Sequence, residues 1–330
     1  MQTINYDAIV KNARYFKSIL GDAKLCAVLK NDAYGHGLQH VARYLAGVVD
    51  CFAVGSVEEA CQIAFLDKDV LLLLPQNLRN TEIALQAHCI LTVDSFDTLN
   101  TVDAVAHKLN TCARVHVKFD SGMSRLGFTL EQIPMLKERL QTANVTVEGV
   151  FSHFYGDSEV DCDKQLAYFE RCYSSFCPNS NGLVKHIANT SATLLSPRYH
   201  LDMARVGLGL FGYGSSALRA AKSVYADVIA VKKVSAGSVV GYGAKYVCNT
   251  DTKIAVLNVG YATGFARTLV GSRVQIGNKR HKVEAICMAM TLVDVGDAEV
   301  HVGDVATLLD ADVNISNDQV IIYELLCNLR

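Results

Sequence analysis

The 330-residue chain has no run of basic residues: 31 Lys and Arg and 33 Asp and Glu are spread along it and leave a formal charge of −2. Neither a nucleic acid nor an anionic membrane finds an electrostatic footprint, so a small molecule is the expected partner. Long hydrophobic runs are also missing. Stretches such as "VLLLL" fall far short of the ~20 apolar residues that cross a bilayer. The residues after Met1, Gln-Thr-Ile-Asn-Tyr-Asp, have neither the basic nor the apolar region of a secretion signal, so a cytoplasmic protein is expected. Eleven cysteines occur without a C-x-x-C pair, and their number is odd. Reduced thiols, mostly in the core, are expected rather than disulfides or a zinc site, and no metal is assigned. With four prolines and no low-complexity segment, any linker is short.

Half of the residues are apolar, enough for a large core in one big domain or two ordinary ones. Up to about residue 215, eight short apolar stretches recur: "LCAVLK" (25–30), "CFAVGS" (51–56), "VLLLLP" (70–75), "CILTVD" (89–94), "ARVHVKFD" (113–120), "VEGVFSHF" (147–154), "KHIANTS" (185–191) and "ARVGLGLFG" (204–212). Between them lie segments with apolar residues three and four apart and Ser, Asp or Thr near their starts, as in "SVEEACQIAFL" and "SFDTLNTVDAVAHKL". Solidly apolar strands alternating with amphipathic helices indicate buried parallel strands. Eight such units predict an α/β fold, a (β/α)8 TIM-type barrel over residues 1–220, with function at the C-terminal ends of the strands. From residue 221 to 330 the texture becomes strands punctuated by Gly, Asn and Asp, as in "TKIAVLNVG" and "SRVQIGNKRHKVEAICMAM", which predicts a smaller, mainly β domain.

One stretch carries chemistry. In "LCAVLKNDAYGHG" a lysine ends an apolar strand, where desolvation favours a neutral, nucleophilic amine, so Lys30 is a candidate Schiff-base former; the alternative is a strand-end lysine reaching solvent. Gly35 and Gly37 permit tight turns, and the Tyr34 hydroxyl suits a phosphate oxygen. An amine beside a phosphate cradle points to pyridoxal 5′-phosphate. Gly207, Gly209 and Gly212 also spell a formal G-x-G-x-x-G, but late in the chain and without a clear helix after it, against a dinucleotide site.

"AVLKNDAYGHG" closely resembles the lysine motif of the alanine racemases, bacterial pyridoxal-phosphate enzymes. Further blocks resemble that family in its order: "VKFDSGMSRLGF", "GVFSHF", "HIANTSA", "ARVGLGLFG", "VGYGAKY", "NVGYATGFAR" and "AICM". The resemblance implies a two-base racemase of L- and D-alanine that supplies peptidoglycan, with Lys30 carrying the cofactor and exchanging a proton on one face of the substrate. It implies Tyr242 as the opposing base, supplied by the partner's β domain, hence a homodimer with shared active sites. By the same resemblance Arg205 faces the pyridine nitrogen and His153 lies near the ring. Tyr34, the Thr190 hydroxyl and the N–H groups of Gly207 and Leu208 serve the cofactor phosphate, and Asn189 is assigned to cofactor binding, though Asn-Thr at a strand end is often only a helix cap. Arg125, the Met288 N–H and Tyr261 meet the substrate or line its entrance, and Lys118 matches a lysine that is often carbamylated.

Three departures from the family pattern stand out. Ala289 and Thr263 occupy positions where the family has aspartates, and after "YELLCNLR" the family continues to a further tyrosine that helps hold the phosphate. Competing expectations are a racemase preferring another small amino acid such as serine, a non-catalytic pyridoxal-phosphate homeostasis barrel, and a barrel-type decarboxylase. The residues after Arg219 and the presence of Tyr242 disfavour the homeostasis barrel, and the absence of a much longer β domain disfavours the decarboxylase.

Overall fold

The structure, a computed structural model of the chain, describes residues 1–178, 182–313, 315 and 319–329. The chain forms two compact units: Asp7–Ala33 with Gly37–Leu218, and Met1–Tyr6 with Tyr34–His36 and Arg219–Arg330. The first strand, β1 (Gln2–Ile4), pairs antiparallel with residues 222–224, which is why the N-terminus groups with the C-terminal unit. A division read along the sequence at 220/221 does not anticipate either excursion.

All eight apolar stretches form strands of one parallel sheet: β2 (Lys24–Val28), β3 (Cys51–Val54), β4 (Val70–Leu72), β5 (Ile90–Val93), β6 (Ala113–Lys118), β7 (Val145–Phe151), β8 (Val184–His186) and β9 (Met203–Val206). Their order is β8-β7-β6-β5-β4-β3-β2-β9. The ends are drawn together by the Asp202 N–H donating to the Lys185 carbonyl at 3.1 Å and the Arg205 N–H to that of Ala188 at 3.0 Å, so the barrel is nearly closed. Every residue of β4, β5 and β9 is buried, as a strand covered on both faces requires.

The connections follow one scheme. Ser56, Asn77, Ser95 and Ser158 each cap the helix that follows, accepting the N–H of the third residue on. The helix Leu38–Leu45 buries Leu38, Val41, Ala42 and Leu45, the i, i+3, i+4, i+7 stripe of an amphipathic helix facing a sheet.

The second unit continues with β10 (Lys222–Val234), the hairpin β11 (Val239–Val240) and β12 (Tyr246–Val247), then β13 (Thr252–Leu257), β14 (Arg273–Ile276), β15 (Lys279–Ile286), β16 (Thr291–Asp294) and β17 (Val305–Leu309). Strands β10, β13, β16, β15, β14 and β17 form an antiparallel ring, because β17 pairs back onto β10. Closure leaves each of these six strands with at least two neighbours, β10 also pairing with β1, and removes from the ring the exposed edges that invite aggregation. One seven-residue helix, Ile322–Asn328, follows. The eleven cysteines are all unbridged; only five are buried, and Cys112, which sits in an apolar run, is exposed.

Where β6 meets β7 the register shifts between Val115 and His116, and His116 faces Gly149. A Cβ at Gly149 would lie 2.7 Å from the Val184 carbonyl oxygen and 2.8 Å from the His116 ring. Gly149→Ala is therefore expected to destabilise the barrel by about 1–3 kcal/mol, as overpacking does. Urea denaturation measures this, and an unchanged midpoint would mean that the imidazole gives way without cost.

Candidate active site

Strand β2 ends at Val28, and the Leu29 N–H makes the last ladder-like bond, to the Ala53 carbonyl at 2.8 Å. The chain then enters a left-handed helical turn. Asn31, Asp32, Ala33 and Tyr34 have φ of 54°, 54°, 52° and 55°, and Gly35 follows at 72°. This conformation brings Cβ close to the following carbonyl and costs an L-residue roughly 1–2 kcal/mol. Specific bonds hold it. The Ala33 N–H donates to the Leu29 carbonyl at 2.9 Å and the Asp32 N–H to Glu59 Oε1 at 3.1 Å, while Asp32 Oδ1 accepts the Leu38 N–H at 2.7 Å. Burial stops at Leu29 and Lys30 is exposed, so the expected desolvation of its amine by the strand is not found. Lys30 thus opens the turn at the C-terminal end of β2.

At the barrel's centre Arg205 is buried with neutral acceptors around it. Its Nη1 lies 2.7 Å from His186 Nδ1; its Nη2 lies 2.7 Å from the Ser152 carbonyl, 3.1 Å from His153 Nδ1 and 3.4 Å from the Ile187 carbonyl. A guanidinium only donates, so both Nδ1 atoms accept and both protons sit on Nε2. The His186 Nε2–H is then directed at His116 Nδ1, 2.8 Å away. Burial, followed by the charge of Arg205, pushes His186 and His153 well below the ordinary imidazole range and His116 down to about 4. Burial also lowers Arg205 itself to about 10, which leaves it charged at neutral pH. The Phe151 ring stacks on His186 at 4.9 Å, with the Arg205 guanidinium 5.2 Å and Lys118 Nζ 5.4 Å from its centroid.

Lys118 ends β6 and is buried; burial first, then the charges of Arg125 and Arg205, lowers its amine to about 8. Arg125 is exposed and lines a cleft of about 530 Å³ with Asp94, Thr98, Asp120 and Ser124. Asp120 Oδ1 accepts the N–H groups of Gly122 and Ser124, which shapes the loop carrying Arg125.

Thr190, Gly207 and Leu208 also come together. Thr190 Oγ1 accepts the Gly207 N–H at 3.3 Å and the Gly209 N–H at 3.2 Å. A side chain at Gly209 would strike the Phe16 ring, so the chain tolerates only glycine at this approach. Asn189 caps the helix Thr190–Leu195 through the Ala192 N–H at 3.0 Å.

The second unit carries Tyr34, Tyr242, Tyr261 and Met288. Tyr34 is buried 5.9 Å from the Tyr323 ring, and burial raises its hydroxyl pKa. Lys222 Nζ donates to the carbonyls of Leu326 at 2.8 Å and Gly35 at 3.3 Å, anchoring the segment next to Tyr34. Tyr242 stands in the β11–β12 loop between Gly241 (φ 79°) and Gly243 (φ 74°) and is 82% exposed. Tyr261 and Met288 are neighbours: the N–H groups of Tyr261 and Ala262 donate to the carbonyls of Cys287 and Met288 at 3.0 and 2.9 Å. Thr263 turns its hydroxyl onto the Gly260 carbonyl at 3.1 Å.

Sequence reasoning assigned no role to His116, Ser152, His186 or Glu59. A signal existed for the first: alternation along β6 puts His116 on the same face as Lys118. Glu59 reads as an ordinary first-turn acid, and nothing local distinguishes it.

Comparison with known proteins matches residues 4–215 to the alanine racemase N-terminal domain and 221–330 to the alanine racemase C-terminal domain. Alanine racemase 1 of Oceanobacillus iheyensis is 33% identical, covering 98% of this chain and 94% of that protein. The structure of alanine racemase from Clostridium difficile superposes with a TM-score of 0.89 at 30% identity, over 100% of this chain and 93% of that one. That of alanine racemase from Bartonella henselae with covalently bound pyridoxal phosphate gives 0.91 at 25% identity, over 100% and 96%.

The three depressed histidines make stability depend on acid. Each is neutral when folded and titrates near 6.5 when unfolded, so their contribution is complete above about pH 6.5 and is lost as pH falls toward the folded values. With all three engaged the slope approaches about 4 kcal/mol per pH unit. Urea unfolding between pH 7 and 5 is expected to show this decline, and His116→Asn to flatten part of it. A profile flat below pH 6.5 would contradict the neutral cluster.

Proposed function

The chain belongs to the alanine racemase family, and from that membership we propose that it is a pyridoxal 5′-phosphate enzyme interconverting L- and D-alanine. In this reading it works in the cytoplasm as a homodimer and supplies D-alanine for peptidoglycan. The observation that carries the reading is a buried, donor-only guanidinium, Arg205, surrounded by neutral acceptors.

The donor set fits the cofactor. Lys30 offers an amine for its aldehyde. Arg205 would offer N–H groups to an unprotonated pyridine nitrogen, and His153, 3.1 Å from Arg205 Nη2, would stand near the ring. The Thr190 hydroxyl with the Gly207 and Leu208 amides would suit an anion without a cationic clamp, and the family pattern assigns Tyr34 and Asn189 to the cofactor as well. Pyridoxal 5′-phosphate held there supplies an electron sink that makes the α-hydrogen of an amino acid acidic. Because an arginine cannot hand a proton to the ring nitrogen, it keeps that sink moderate and limits competing reactions such as transamination.

Racemisation needs a proton acceptor on each face of the α-carbon, since a single group would mostly return the proton to the side it left. Lys30 serves the D-face. Tyr242, standing out from a hairpin tip, serves the opposite face from the partner subunit's β domain; this makes the dimer part of the site. Arg125 and the Met288 N–H hold the substrate carboxylate, and Tyr261 lines the entrance. Lys118, with an amine at about 8, has a neutral fraction that adds carbon dioxide and loses a proton. The resulting carbamate replaces a cation beside Arg125 and Arg205 with an anion that orients Arg125.

Purified protein given pyridoxal 5′-phosphate is expected to interconvert the alanine enantiomers, and failure to racemise any amino acid would refute the reading. Tyr242→Phe should impair solvent-deuterium incorporation starting from L-alanine more than from D-alanine; equal retention from both would remove Tyr242 from the mechanism. In protein equilibrated with ¹³C-bicarbonate, a carbamate resonance should appear and should vanish in Lys118→Ala. A signal that persists in the variant would place the carbamate elsewhere.

A further inference from the structure

We propose that Glu59 is the positioning residue for Lys30, holding the left-handed turn that presents the lysine; this rests on Lys30 being the cofactor anchor. The two carboxylate oxygens of Glu59 serve two different strand-to-helix connections. Oε1 accepts the Asp32 N–H at 3.1 Å, in the turn after β2, and Oε2 accepts the Gly55 N–H at 2.9 Å, in the turn after β3. The Glu59 N–H is fixed in turn by Ser56 Oγ at 3.3 Å, so the carboxylate projects from a capped helix start. Packing brings the same groups to Lys30. A Cβ on Gly55 would lie 3.4 Å from Lys30 Cβ and 3.5 Å from Glu59 Oε2, ordinary contact distances.

This arrangement answers a specific need. Four consecutive L-residues, Asn31 to Tyr34, have φ between 52° and 55°, and only the last position of the turn, Gly35, adopts that conformation at no steric cost. A run of this kind relaxes toward right-handed or extended backbone unless the surroundings over-determine it. The bond from Asp32 to Glu59 grips the middle of the run and the bond from Gly55 ties it to the neighbouring strand end. A carboxylate does this better than a neutral side chain, since it accepts both N–H groups and each bond is charge-assisted. Asp32 closes the other side through the Leu38 N–H. Lys30 thus leaves β2 in one direction, set by a residue that has no part in the chemistry.

The test uses the full-length protein and two readouts apart from turnover: the dissociation constant of pyridoxal 5′-phosphate, and the fraction of cofactor fixed to Lys30 by borohydride reduction, located by peptide mass. Glu59→Gln keeps the shape and one acceptor oxygen and should weaken cofactor binding roughly 10-fold; Glu59→Ala should weaken it up to about 100-fold. Ala33→Gly relieves the turn, so it should recover part of the Glu59→Ala loss, a coupling that a purely structural role for the helix would not produce. If Glu59→Ala does not fold, the same coupling is read in Glu59→Gln. Parent-like binding and labelling in the Glu59 variants, or effects that simply add with Ala33→Gly, would overturn the proposal. Parent protein that attaches no cofactor at Lys30 would overturn the functional reading together with it.

Discussion

A guanidinium inside a barrel must find acceptors for the N–H groups it buries, and most of the arrangement around Arg205 follows from that requirement. Its acceptors include no carboxylate among the described residues: two are imidazole nitrogens and two are main-chain carbonyls. Neutral acceptors leave the positive charge uncompensated, and that charge, added to burial, holds the histidines neutral. Their neutrality fixes their tautomers, which aligns His186 with His116, and the His116 ring leaves no room for a side chain at Gly149. A single donor-only group thus dictates protonation, orientation and packing across β6, β7, β8 and β9. Each of these contacts pairs a donor with an acceptor, the condition under which buried polar groups rigidify a core rather than weaken it.

The period of a strand sorts the rest. On β6, alternation places Arg114, His116 and Lys118 on one face at successive levels. Arg114, at the N-terminal end, is tied to Asp69 and Glu148 at 2.8 and 2.7 Å, and these bonds hold it charged. His116 in the middle is neutral, and Lys118 at the C-terminal end has a depressed amine with only partial charge compensation. One strand thereby runs from an ion pair at its N-terminal end to a depressed amine at its C-terminal end, the end at which a (β/α)8 barrel carries function.

The eight barrel strands and their helices were legible because the signals are local: an apolar run, a capping Ser or Asn, an amphipathic period. The Lys30 motif and the blocks around Arg205 and Tyr242 were legible as a family pattern. What stayed hidden depends on distant or conformational facts. Nothing in "KNDAYG" announces a left-handed turn, since the glycine comes only at its end and Ala33 has no intrinsic preference for positive φ. Desolvation of Lys30 is not legible either, because burial ends with the apolar run at Leu29 and does not carry over to the lysine that follows it. The membership of residues 1–6 and 34–36 in the second unit arises from pairing and anchoring across the chain, through β10 and Lys222, which no local period encodes.

Thr263 shows how a departure from a family pattern acquires a physical meaning. Read as a missing acid, it is a loss of charge at the entrance. In place, its hydroxyl donates to the Gly260 carbonyl and so closes the turn that carries Tyr261, a bond an aspartate carboxylate cannot make because it has no proton to give. Arg267 lies on the same cavity of about 710 Å³ as Thr263 and Asn328, and no acidic residue lines that cavity among the described residues. The substitution therefore exchanges an anion for a neutral donor engaged with its own backbone, on a cavity whose described lining carries one charged side chain, Arg267.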